Sequence, residues 1–141
     1  MKQALSILVI CVICFCCKKH ASSALTINWP CDITMDSTAL ANGILGSWNW
    51  TKSTGQDGKI HPADKNIKVT FNTNATYTVK ENATIITQGT WKVEAASSSQ
   101  WQLNLSEPNQ YLRGWASVCQ NQIAFLDGYI DGPDNYFEKG D

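Results

Sequence analysis

The regular alternation of apolar and polar residues is the feature that most constrains how this chain can fold. Residues 67–72 read IKVTFN and residues 101–106 read WQLNLS, so every second side chain in each segment is apolar. A period of two places the apolar side chains on one face of an extended strand and the polar side chains on the other. Strands with one apolar and one wet face are typical of antiparallel sheets. The pattern therefore predicts an all-β domain.

Turn-forming residues divide the chain into a succession of short strands. The predicted strands cover residues 44–54, 65–71, 75–81, 84–94, 100–106, 110–119, 122–129 and 134–139. Most connections are tight, but the first, Gly55 to Asp64, is about ten residues long. Before the first strand, Asp36 or Ser37 is expected to cap a short helical turn that ends at Gly43. Eight strands joined mostly by hairpins favour an eight-stranded antiparallel up-and-down β-barrel, because closure removes exposed strand edges; a two-sheet sandwich is the alternative.

The N-terminus has the character of an export signal. The first 17 residues hold one charge, Lys2, followed by an apolar stretch of about 14 residues, whereas a membrane-spanning helix needs about 20. The cysteines at its end resemble the lipidation point of a bacterial lipoprotein signal, which we place at Cys17, with Cys16 as the fallback. We therefore predict a lipoprotein signal peptide at 1–17, a tether at 18–38 and one domain at 39–141. Export without a lipid, after cleavage near Ala21 to Ala24, is the alternative.

Export changes the meaning of the two remaining cysteines, Cys31 and Cys119. In an oxidising compartment they permit one intramolecular disulfide, and two unpaired thiols are the alternative. The bond would span 88 positions, for which chain entropy gives a stabilisation of at most about 4.6 kcal/mol. Only two scattered histidines, His20 and His61, accompany these cysteines. The paired spacings of a structural zinc site are missing, so we expect no metal.

Four short motifs follow one another along the predicted barrel: LGSWNW at 45–50, VTFNTNATY at 69–77, GTWKV at 89–93 and DGPDNYFEK at 131–139. In this order and spacing they resemble the small lipocalin-like lipoproteins of Gram-negative bacteria, over roughly residues 40 to 139. The resemblance implies a lipocalin-like barrel in the cell envelope, held at the outer membrane by its lipid. It also implies that Trp48 plugs one end of the barrel and that a basic residue of the last strand, here Lys139, stacks over that ring.

Several other functions are disfavoured by the sequence. The formal net charge is −1 and no run of like charge occurs, whereas binding to nucleic acid requires a concentrated basic face. The chain has no Gly-x-Ser-x-Gly, P-loop or His-Glu-x-x-His motif, so we predict that it is not an enzyme and uses no cofactor. Residues 127–138 partly match an EF-hand loop, but Tyr129 stands where a ligand is required. We interpret that segment as an acidic hairpin whose Gly and Asp residues form the turn.

The aromatic residues supply the candidate binding site. An eight-stranded barrel encloses a space that side chains can fill or that holds one small ligand. Strand alternation, which a single bulge would reverse locally, directs six aromatic side chains inward as candidate ligand-binding residues: Trp48, Phe71, Tyr77, Trp91, Trp101 and Phe125.

The resemblance implies a lipid-anchored envelope protein that binds a small apolar or amphipathic molecule in this barrel. The long connection at 55–64 would then be a lid over the barrel mouth, as the corresponding loop is in the lipocalin-like family. The alternative function is a cavity-free interaction or inhibitor module that acts through its loops. In either case we expect a monomer that contacts the membrane only through its lipid.

Overall fold

Over the residues that the structure describes, the chain forms one short α-helix and a single antiparallel sheet. The computed structural model describes residues 35–128 and 132–141. Its elements are α1 (Ser37–Gly43), β1 (Gly46–Thr54), β2 (Ile60–Pro62), β3 (Ile67–Phe71), β4 (Thr76–Glu81), β5 (Thr84–Ala95), β6 (Trp101–Leu105), β7 (Trp115–Cys119), β8 (Gln122–Leu126) and β9 (Asp134–Lys139), with a 3-10 turn at Gln110–Leu112 between β6 and β7. Within the described ranges, no helix is both long and apolar enough to cross a membrane.

The strands close into a barrel. From β3 to β9 each strand pairs with the next, β3 also pairs with β1, and β9 returns to pair with β1, which closes eight antiparallel strands. Strand β2 is additional: it pairs with the far end of β1, at Lys52–Thr54, on the edge that β3 occupies at Gly46–Asn49. The predicted eight-stranded up-and-down barrel with a short helical turn is therefore confirmed.

Alternation along the strands builds the core. In β3 the residues Ile67, Val69 and Phe71 are buried while the two between them are partly exposed. Each fully buried apolar side chain of this size contributes about 1.5–3 kcal/mol. These residues join one cluster with Trp48 of β1 and with Phe137 of β9, which lies beside β1 at the barrel's closure. The barrel interior is thus filled by side chains from around the wall.

Helix α1 covers one end of the barrel, which we call the closed end. It begins because the Asp36 side chain accepts a hydrogen bond from the Ala39 amide at 2.7 Å, and it ends at Gly43. Leu40 on its inner face is fully buried in the core, and the helix packs beside β5 and β7. The Trp48 indole Nε1 donates to the Ile44 carbonyl at 2.6 Å. That bond fixes the ring beneath the end of the helix.

Two predicted segments were wrong in detail. The first connection, predicted as a ten-residue loop, folds back on β1: Gly55 N donates to Lys59 O at 3.1 Å, and β2 follows at once. The predicted strand at 110–119 begins only at Trp115, since residues 110–112 form the 3-10 turn. Gly114 interrupts the extended backbone with a φ of +88°. A glycine can adopt that left-handed geometry without a side-chain clash, which accounts for the break.

Two bulges change the register of the barrel. Trp50 of β1 lies opposite Phe137 of β9, but Lys52 lies opposite the preceding residue, so Thr51 is the extra residue of the bulge. In β5 the extra residue is Ile86, since Val79 pairs with Thr87 and Lys80 with Ile85. Each extra residue shifts which side chains face inward beyond it.

The hairpin formed by β4 and β5 projects beyond its neighbour β6. Strand β5 has 12 residues, but β6 pairs only with its last five, from Trp91 to Ala95. The first half of β5 therefore pairs with β4 alone. Ile85 and Ile86 lie in this half and are 52% and 45% exposed.

Candidate functional site

The end of the barrel opposite α1 is its mouth, and the 3-10 turn lies across it. Asn109 starts this turn: its side-chain oxygen accepts a hydrogen bond from the Tyr111 amide at 3.0 Å, and its Nδ2 donates to Thr87 Oγ1 of β5 at 3.0 Å. Tyr111 and Leu112 are consequently buried in the core cluster. The Tyr77 hydroxyl donates to the carbonyl of Glu107, which ties the preceding loop to β4. The turn thus covers part of the mouth, and the lid role that the resemblance implied for the loop at 55–64 stays a prediction.

The six aromatic residues predicted to bind a ligand lie in or against the core. Five are buried and pack with other core residues: Trp48, Phe71, Tyr77, Trp91 and Phe125. Trp101 is only half-buried, and its Nε1 donates to the Met35 carbonyl at 2.8 Å beside α1. The inward direction predicted for the strands is correct for the five buried residues. A ligand-binding role for any of the six stays a prediction.

Lys139 lies where the sequence placed it. Its Nζ is 5.2 Å from the centroid of the Trp48 ring, within the range of a cation–π contact. This contact lies on the closed end of the barrel and is continuous with the hydrogen bond between Trp48 and Ile44. It therefore stabilises the plug at that end and is distant along β1 from the mouth.

A cleft of about 430 Å³ opens at the mouth, and we call it the mouth cleft. Two aromatic side chains form its apolar part: Trp50 and Tyr111 lie with ring centroids 5.1 Å apart and planes tilted by 59°. The Trp50 Nε1 is buried and has no hydrogen-bond partner within the described part of the chain. Ser53 and Asn135, a directly paired couple on β1 and β9, add polar groups. The cleft is thus amphipathic.

A second cleft of about 320 Å³ lies in the barrel wall, and we call it the side cleft. Strands β6 and β7 pair only at Gln102 and Trp115, and they separate from that point towards the mouth. Gly114 turns the chain against the backbone of Leu126 in β8, so closely that any Cβ there would overlap the Leu126 carbonyl. Leu103 and Leu112 line the space that this separation leaves.

The ion pair between Arg113 and Asp127 forms a wall common to both clefts. Arg113 Nε lies 3.4 Å from Asp127 Oδ2. The Asp127 side chain is 3% exposed, whereas the Arg113 side chain is 61% exposed. Gly132 packs directly against the carboxylate, where a Cβ would overlap it. The carboxylate is therefore almost fully shielded from solvent, whereas its cationic partner is largely exposed.

The other charges of the mouth cleft are less available. Lys65 Nζ is paired with Glu81 Oε1 at 3.1 Å, and this hydrogen-bonded carboxylate raises the pKa of Lys65 above its usual 10.5. Asp64 is exposed to solvent at the rim. Lys65 and Arg113 are thus the two cations that line the mouth cleft, and each is paired with a carboxylate.

The remaining predicted sites fall largely outside the described residues. Cys17, Cys16 and Cys31 lie there, so the lipid anchor and the pairing of Cys31 with Cys119 stay predictions. Cys119 itself ends β7. Across 35–128 and 132–141, no three His, Cys, Asp or Glu side chains group in a way that would hold a metal ion. At the two ends of the acidic hairpin, the Gly128 amide donates to Asp134 Oδ1 at 2.8 Å and the Gly132 amide to the Asp127 carbonyl at 3.1 Å.

Comparison with known proteins supplies no relative: no protein-family model, no curated protein and no solved structure matches the chain. The site must therefore be interpreted from its own geometry. Sequence reasoning missed Arg113, Tyr111 and the site role of Asp127. The signal that pointed to them was Gly114 inside an apparent strand, since an interior glycine marks a bend or a close backbone approach.

Proposed function

We propose that this protein is a non-enzymatic carrier or sensor that binds a small amphipathic molecule in the mouth cleft. The observation that carries the proposal is the pairing of two aromatic rings, Trp50 and Tyr111, with the exposed guanidinium of Arg113 in one cleft of about 430 Å³. Binding sites for small molecules are concave, of about 300–1,000 Å³, and combine apolar walls with a few polar groups.

The packed interior directs the proposed ligand to the mouth. Phe71 and Trp91 meet edge to face with centroids 5.8 Å apart, and Phe125 and Phe137 do the same at 5.8 Å. Side chains at this density leave little room for a ligand in the lumen. The ligand is therefore expected to lie on the 3-10 turn and between the loops, with its apolar part against Trp50.

The same packing favours one second candidate, an interaction or inhibitor module without a ligand. Titration with the fluorescent amphiphile 1-anilinonaphthalene-8-sulfonate, followed by probe emission and Trp quenching, separates the two functions. Saturable binding of one equivalent at micromolar concentration, lost in Tyr111→Ala and kept in Ile86→Ala, supports the carrier. Ile86 is a suitable control because it is exposed and does not line the mouth cleft. A folded wild type that binds no probe refutes the carrier and favours the module.

We further propose that the protein is exported and anchored by a lipid on Cys17, as a monomer of the lipocalin-like kind. The sequence supports this: Lys2 provides a positive charge near the N-terminus, a short apolar run follows, and Cys17 ends that run. Expression of the full chain in a Gram-negative host, with metabolic labelling by palmitate, tests this. Label lost in Cys17→Ser, or in Cys16→Ser for the fallback, supports the anchor. Soluble, unlabelled mature protein that begins near Ser22 contradicts it.

A further inference from the structure

The chemistry of the mouth cleft specifies the polar end of the proposed ligand. Resting on the proposed function, we infer that the ligand carries a carboxylate, which Arg113 binds through its terminal nitrogens while the apolar body lies against Trp50 and Tyr111. Asp127 is the positioning residue that holds the guanidinium in place for this contact.

The guanidinium of Arg113 is only partly used by the protein. A guanidinium has five N–H donors in a planar fork, and the ion pair with Asp127 is formed from Nε, 3.4 Å from Oδ2. The Arg113 side chain is 61% exposed, so much of this fork is open to solvent. Two Nη donors in one plane match the two oxygens of a carboxylate, which makes this pairing both strong and directional.

Asp127 has no comparable access to a ligand. Its side chain is 3% exposed, so a ligand amine could reach it only by displacing the groups that bury it, among them its partner Arg113. Removing that cation from a buried carboxylate is costly. The pair therefore presents its positive member to the cleft, and the geometry favours an anion over a cation at this position.

Trp50 adds a second donor to the same cleft. Its Nε1 is buried without a partner in the described part of the chain, and a buried donor left unpaired is destabilising. A ligand oxygen that moves in beside this nitrogen would accept its hydrogen bond. The Trp50 donor and the exposed guanidinium thus both favour an acceptor at the polar end of the ligand, which a carboxylate supplies and an ammonium group does not.

Three naphthalene compounds that differ only in their polar end test this inference: 1-naphthylacetate, 1-naphthylacetamide and 2-(1-naphthyl)ethylamine. Calorimetric titration is carried out on the wild type, Arg113→Gln, Arg113→Lys and Lys80→Gln. Lys80 is a matched control because it is an exposed cation of β4 that does not line the mouth cleft. Circular dichroism and urea unfolding verify that each variant is folded.

We expect the wild type and Lys80→Gln to bind the carboxylate about ten- to a hundredfold more tightly than the amide, which is the scale of a hydrogen bond to a charged group. Arg113→Gln should remove this preference while still binding the amide, and Arg113→Lys should restore part of it. Asp127→Asn should weaken carboxylate binding less than Arg113→Gln does. Added salt should weaken binding of the carboxylate and leave that of the amide unchanged.

The outcomes distinguish failure of the inferred carboxylate recognition from failure of the proposed carrier function. Equal binding of acid and amide, unaffected by Arg113→Gln, overturns the carboxylate and leaves a carrier of apolar ligands. Preference for the amine overturns it in favour of recognition by Asp64. If none of the three compounds binds the folded wild type, the carrier function falls as well. Should Arg113→Gln unfold because Asp127 loses its partner, the double variant Arg113→Gln/Asp127→Asn removes both charges and must still lose the preference.

Discussion

Gly114 offers the sharpest test of the fold, because the barrel wall opens beside it. Its φ is +88°, and a Cβ at this position would overlap the carbonyl of Leu126. Gly58 is a matched control: its φ is +70°, and a Cβ there would meet nothing within 4 Å. Comparison of Gly114→Ala with Gly58→Ala therefore separates the cost of left-handed backbone from the cost of close packing.

The expected magnitudes follow from these two environments. An alanine in left-handed geometry destabilises the folded state by about 1–2 kcal/mol. Its reduced conformational freedom in the unfolded chain offsets about 0.4–1 kcal/mol of this. Gly58→Ala should therefore lower the free energy of unfolding by about 1 kcal/mol. Gly114→Ala adds an overlap with strand backbone, which cannot rotate away as a side chain can, for roughly 1–3 kcal/mol more. A difference of about 2 kcal/mol corresponds to roughly 10 °C in Tm for a domain of this size.

Urea unfolding followed by Trp fluorescence measures both free energies, and thermal unfolding by circular dichroism provides Tm. Naphthylacetate binding should also weaken in Gly114→Ala, because Leu126 must move and Asp127 follows it directly in the chain. Equal destabilisation by the two substitutions would refute the close approach of Gly114 to Leu126 and, with it, the origin of the side cleft.

Three further predictions concern other parts of the barrel. Lys139→Ala should lower the free energy of unfolding by about 0.5–1 kcal/mol through loss of the contact with Trp48, and Lys139→Arg should retain it; a urea midpoint unchanged in both would contradict the stacking. Burial, with Glu107 nearby, holds the pKa of Tyr77 above its usual 10.0, so Tyr77 ionises at lower pH in the unfolded chain than in the folded one. The free energy of unfolding should therefore be fully retained below about pH 10 and fall as the pH rises through the folded-state pKa. This fall should be less steep in Tyr77→Phe. Peptide mapping without reduction should recover Cys31 linked to Cys119, and Cys119→Ser should cost at most about 4.6 kcal/mol; free thiols at both positions would disprove the pairing.

The strands and the closed end were largely predictable from sequence. Period-two alternation identified β3 and β6, and the helical turn after Asp36 ends at Gly43 as predicted. These features depend on neighbours along the chain, so local pattern suffices to find them. The contact of Lys139 with Trp48 joins distant residues, and it was predicted only through the resemblance to the lipocalin-like family, in which a basic residue of the last strand stacks over this Trp.

The mouth could not be predicted in the same way. Arg113 and Asp127 lie 14 positions apart on either side of the β7–β8 hairpin, and nothing in either sequence context marks them as partners. Residues 110–119 alternate well enough to suggest one long strand, yet Asn109 caps a 3-10 turn there and Gly114 bends the chain. Similarly, β2 forms because the end of β1 extends past β3 and leaves an edge to pair with. Such features depend on where a neighbouring strand stops, which is a property of the assembled sheet.

The projecting half of β5 leaves a strand edge unpaired, which bears on self-association of the protein. An unpaired strand edge rich in β-branched residues, here TIIT at 84–87, is a template on which another chain can add a strand and begin to aggregate. The bulge at Ile86 breaks the even spacing of amide and carbonyl groups along that edge, so an incoming straight strand can match it on one side of the bulge only. Deleting Ile86 would straighten the hairpin and is expected to make the barrels associate edge to edge.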